Sequence, residues 1–239
     1  MRSHPVILTI FLLLACVLQA RGGAVRSGPD TLLTTALDQA LPDTVRLMAM
    51  QQLTSGFMRT APDSCLHYAA RYAELATKLG NAAHQANAAH LKGVAAYLLG
   101  QLDESLAALD RSVALRKDLD DPLAKAATLN LIGAVYMQKG DLARAMDNYV
   151  QCLQLSEKAG DRRGIAGSHH NIGRIYAQQN DLDKALEHFQ TSLVNREPDD
   201  LLGRAGEIDL MASTFADAGQ GQHCTDTLSR STCLACEGG

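Results

Sequence analysis

The chain has 239 residues, 46% of them apolar, only 4% aromatic and none of them Trp, and carries a formal charge of −4 at pH 7. Abundant Ala and Leu with so few aromatics argue for helices packed closely through small side chains, and against a sandwich or barrel. No basic stripe is present to meet a phosphate backbone, which excludes nucleic acid as the expected partner.

Residues 1–24 read as a secretory signal peptide. Arg2 supplies the positive start, residues 6–15 are apolar apart from one Thr, and the small residues Ala20, Gly22, Gly23 and Ala24 follow. The run Leu13-Leu14-Ala15-Cys16 also resembles a bacterial lipobox, so a lipid anchor on Cys16 competes with ordinary cleavage near Ala24. Both readings predict an exported chain, periplasmic or at the cell surface. No later apolar run of about 20 residues predicts a membrane span. Residues 25–40 read as a linker or an N-terminal helix.

Beyond that point a period of 40 residues governs the chain. Gly93, Gly133 and Gly173 sit in matching contexts, Leu91-Lys-Gly93, Leu131-Ile132-Gly133-Ala-Val-Tyr136 and Asn171-Ile172-Gly173-Arg-Ile-Tyr176. Further matches follow in phase: Ser105, Ala145 and Ala185; Leu109, Tyr149 and Phe189; Val113, Leu153 and Leu193. Within residues 126–159, Leu129, Ile132, Gly133 and Tyr136 share one helical face. Lys139-Gly140-Asp141 then breaks the pattern, and Leu142, Ala145, Tyr149, Cys152 and Leu153 resume it. Each period therefore predicts two antiparallel helices. A fixed repeat of this size means stacked units rather than one closed core. The expected architecture is an all-α solenoid with units at 86–119, 126–159 and 166–199, and degenerate ones at 41–80 and 203–239. Residues 63–75 supply a second helix for the first of these. Met211, Ala212 and Phe215 supply a first helix for the last, if one residue is deleted near Pro198.

The pattern Leu129-x₂-Ile132-Gly133-x₂-Tyr136 with Ala145-x₃-Tyr149 resembles the tetratricopeptide repeat. So does His169-x₂-Ile172-Gly173-x₂-Tyr176 with Ala185-x₃-Phe189. The unit around Gly93 is looser, with Ala96 in the first aromatic slot and Leu109 in the second. The resemblance implies that first helices line a concave face, which points to Asn87, His90 and Val94; Ala127, Asn130, Ala134 and Gln138; and Gly167, His170, Arg174 and Gln178. That set is amide-rich with one strong cation, so the implied ligand is an extended peptide or protein segment. Neither a cofactor nor a small-molecule substrate is implied. Residues 41–197 are also similar to the 40-residue repeats in extracytoplasmic input regions of bacterial sensor kinases and nucleotide cyclases. Under that reading the chain is the sensory part of a longer protein.

Catalytic and metal chemistry find little support. His169 fills the slot of Leu129 and is expected to be buried, while His170 turns one step toward the inner face. No serine elbow, phosphate loop or paired helical His accompanies them. Cys65 and Cys152 fall in small-residue slots and read as compact hydrophobes. Cys224, Cys233 and Cys236 with His223 form the one cluster with metal or disulfide spacing, in a Ser-, Thr- and Gly-rich tail whose abrupt end suggests a truncated product. A metal site is not expected there, and the chain as a whole is expected not to be an enzyme.

Overall fold

A computed structural model describes residues 29–217; the leader, Cys16 and the tail cysteines lie outside the described residues. Ten helices run in sequence and no strand occurs among the described residues: α1 (Pro29–Leu37), α2 (Asp43–Phe57), α3 (Pro62–Lys78), α4 (Ala82–Leu98), α5 (Leu102–Leu115), α6 (Pro122–Gln138), α7 (Leu142–Ala159), α8 (Arg162–Gln178), α9 (Leu182–Asn195) and α10 (Leu201–Asp217). Local chemistry sets their ends. Asn81, Asp121, Asp141 and Asp181 accept from the backbone N–H of His84, Ala124, Arg144 and Lys184, which satisfies donors that a helix start leaves open. The turn after each of the first helices α4, α6 and α8 needs a left-handed residue at one recurring slot. Gly100 and Gly140 fill it with φ of 75° and 80°, and Asn180, the type most tolerant after glycine, with φ of 60°.

Helices pair in order, α2 with α3, α4 with α5, α6 with α7 and α8 with α9, and α10 packs behind α9. Successive first helices also touch, α2 with α4, α4 with α6 and α6 with α8, which puts them on the inner side of the stack. The first helices α4, α6 and α8 begin at residues 82, 122 and 162, four residues ahead of 86, 126 and 166. The residues that lengthen the 40-residue period thus form an added helical turn.

Within each pair a glycine lies under a bulky side chain. A Cβ on Gly133 would fall 2.6 Å from Tyr149 Cε1, one on Gly173 2.7 Å from Phe189 Cε1, and one on Gly93 2.5 Å from Leu109 Cγ. Tyr149, Phe189 and Leu109 are fully buried, so they have nowhere to retreat. Unit α2/α3 inverts the pair. Leu53 stands in the glycine slot and Ala69 in the bulky slot, both inside one buried cluster. Close packing is kept because volume moves from one helix to the other.

Replacing Gly133 with Leu should therefore cost about 1–3 kcal/mol through overpacking against Tyr149. Urea unfolding followed by circular dichroism checks it; an unchanged midpoint would contradict this packing.

Candidate partner-binding face

The seven polar residues expected to line the groove divide into two groups. His90, Asn130 and His170 occupy one repeat slot, and each reaches sideways to the next first helix. His90 Nδ1 lies 3.1 Å from Thr128 Oγ1, Asn171 Nδ2 donates to Asn130 Oδ1 at 2.9 Å, and His170 Nδ1 lies 2.8 Å from Glu207 Oε1. These contacts form polar rungs linking α4 to α6, α6 to α8 and α8 to α10. Asn87 is likewise engaged, its Oδ1 accepting from the Arg116 guanidinium at 2.5 Å. The remaining three, Gln138, Arg174 and Gln178, are exposed. Among the described residues Arg174 has neither a hydrogen bond nor an ion pair, although its charge is felt by Tyr149. Between these groups lie Val94, Ala134 and Gly167, half-buried, and Ala127, exposed, so the inner face is a strip of short side chains edged by amides and one cation.

His169 departs from its expected burial. It is half-exposed because its ring reaches out of the slot that Leu129 fills and meets His188 on α9, with Nδ1 atoms 2.9 Å apart. His188 in turn stacks on Tyr176. Cys65 and Cys152 are free and buried, and burial raises both thiols, Cys65 to about 11. No group of three or more metal-ligating side chains occurs among the described residues.

Sequence reasoning missed two arginine nodes. Arg116 and Arg196 stand 80 residues apart at the ends of α5 and α9. Arg116 is 3% exposed and binds Asn87, Asp121 at 3.0 Å and Ser112. Arg196 grips Glu207 through Nη2 at 2.7 Å and Nε at 3.2 Å, and Asp200 at 2.9 Å. Glu207 is fully buried, and its Oε1 also accepts from Ser192 at 2.8 Å. Its other oxygen, Oε2, has no hydrogen-bond partner among the described residues. Burial opposes ionisation of Glu207, but the bonds from His170, Arg196 and Ser192 outweigh it and hold the carboxyl below its ordinary range. The spacing of the two arginines was the available signal. Nothing in the sequence paired either with an acid several residues or a whole helix away.

An all-α stack of this kind, with first helices inside and second helices outside, is an α-solenoid. Its central repeats are of the tetratricopeptide type: residues 125–197 match the family described as Tetratricopeptide repeat. None of the curated proteins matches the chain. Similar solved structures include BtubC (BKLC) from P. vanneervenii, 13% identical with a TM-score of 0.70, covering 86% of this chain and 87% of that one. Another is a putative kinesin light chain with nearly identical TPR-like repeats from Podosopora anserina, 15% identical, TM-score 0.63, covering 82% and 98%. A third is the Rap conjugation gene regulator of plasmid pLS20 in complex with the Phr* peptide. It is 16% identical with a TM-score of 0.62, and 82% of this chain covers 55% of that one. At these identities the likeness is one of fold.

Burial and the nearby Arg116 charge hold His90 down to about 4, against about 6.5 in an unfolded chain. Between those values the unfolded chain binds a proton that the folded chain refuses, so stability falls as pH drops from about 6.5 to about 4. His84, His169 and His188, lowered chiefly by burial, act in the same direction. His90→Gln should flatten that slope by up to about 1.4 kcal/mol per pH unit, as read from urea midpoints across the range; an unchanged slope contradicts a neutral His90. Arg196→Met should cost about 3–5 kcal/mol by leaving Glu207 buried without its counter-charge. Hydrogen exchange should then quicken first in the amides of α10, and uniform quickening would contradict a local role.

Proposed function

We propose that this chain is a non-catalytic, exported scaffold that holds a protein or peptide partner in an extended conformation along its inner face. The observation that carries this reading is the continuous strip of short side chains on α4, α6 and α8, with Arg174 exposed and without a salt-bridge partner among the described residues. Because the rungs occupy His90, Asn130 and His170, the groups left for a partner are Gln138, Arg174 and Gln178. Ala127, Ala134 and Gly167 leave room for a backbone to lie close. Arg174 then fits a partner carboxylate or carbonyl. The peptide complex of the pLS20 regulator, a chain of similar fold, lends support by analogy. Export rests on the apolar leader at residues 6–15, with cleavage near Ala24 or lipidation of Cys16 as its two routes. The sensory-input alternative uses the same inner face, but places it ahead of a membrane span in a longer protein.

Affinity capture from an exported fraction with the full chain as bait, compared across variants, tests the reading. Ala134→Arg and Arg174→Glu should each lower recovery of the bound partner about tenfold or more, while Val150→Ser on the outer side of α7 leaves it unchanged. Equal recovery by all four chains would exclude the inner face as the binding surface.

A further inference from the structure

The outer side of the stack carries a second feature that the inner-face reading does not use. Between α3 and α5, over the back of α4, lies a cavity of about 270 Å³. Its existence follows from repeat arithmetic. Ala73, Ala89 and Ala108 line it, and the equivalent groove over α6 carries Val113, Leu129 and Asn148 in those slots; over α8 the slots hold Leu153, His169 and His188. Alanine at all three positions leaves the groove over α4 unfilled, and the removed side chains are apolar or neutral. Its rim is charged. Lys92 pairs with Glu104 at 2.8 Å across one edge. Arg111 at the other is exposed and has no ion pair among the described residues.

A matching projection stands at the opposite end of the described chain. Leu201 and Leu202 open α10 at 72% and 90% exposure, the most exposed of the large apolar side chains among the described residues. The matching positions at the start of α8 hold Arg162 and Arg163, both exposed, with Arg162 donating to the Val194 carbonyl of α9 at 3.0 Å. The preceding turn is acidic. Asp200 is held by Arg196, which leaves Glu197 and Asp199 exposed, with Arg163 beside them.

We propose that a second copy of this chain seats its 197–202 corner in the cavity over α4. Leu202 supplies there the side chain that Ala89 lacks relative to Leu129, and Glu197 and Asp199 meet Arg111, the rim cation without an ion pair among the described residues. Corner and cavity are different surfaces, so the contact is heterologous and repeats head to tail. It leaves the inner face open and stands independently of the partner proposed for that face.

Sedimentation velocity of the full chain over a concentration series tests it. The wild-type chain should associate beyond a dimer as concentration rises. Leu202→Ser and Ala89→Leu should each weaken association on the order of tenfold or more. A mixture of these two variants should stop at a dimer, because only one intact cavity meets one intact corner. Should Ala89→Leu prove unstable by circular dichroism, Arg111→Glu replaces it, with weaker association restored on mixing with Glu197→Lys. A wild-type chain that stays monomeric up to its solubility limit, or variants that associate as the wild type does, would overturn the proposal.

Discussion

In each of the three regular pairs, a glycine of the first helix lies against a Leu, Tyr or Phe of the second, at a distance no Cβ could tolerate. That contact fixes how closely the two helices approach, and so how much apolar surface each unit buries. The rest of the stack inherits its spacing from it. The inverted pair of α2 and α3, with Leu53 and Ala69 in one buried cluster, keeps the constraint by moving volume across the interface. What the fold requires at this place is a sum of volumes rather than a glycine as such.

Between units the dominant device is different. Apolar clusters cross the unit boundaries, as Leu109 with Leu129 and Ile132, and Tyr149 with Ile172 and Ile175. Apolar contact alone is indifferent to small sliding, whereas a hydrogen bond of 2.8–3.1 Å is not. The rungs at His90, Asn130 and His170 therefore set the register of successive first helices. The two arginine nodes do the same at the ends of the second helices, and the Glu207 node couples α8, α9 and α10 in one place. A carboxylate fully buried with one oxygen unpartnered is a costly arrangement. It persists because four donors converge on the other oxygen.

These devices decide which surfaces remain for partners. On the inner side Asn87, His90, Asn130 and His170 are occupied, and short side chains with Gln138, Arg174 and Gln178 are left. On the outer side three alanines open a cavity that equivalent units fill with their own side chains. Repeat proteins add function in this way, by varying residues at positions where the period tolerates change.

The 40-residue period, the paired helices and the glycine slots were legible in the sequence, because helical spacing and size complementarity are local or strictly periodic properties. So was the tetratricopeptide resemblance, which rests on the same slots. Burial of Cys65 and Cys152 followed from their alignment with small residues. The fate of His90, Asn130 and His170 did not. Whether an inward-facing polar group meets solvent or the next helix depends on the curvature of the stack, and curvature arises only when units pack. His169 escaped its slot because a partner, His188, lay within reach on another helix. The pairing of Arg196 with Glu207 likewise joins two helices across a turn. Periodicity assigns each residue to a face, but only the distance between faces decides which side chains hold each other and which stay free.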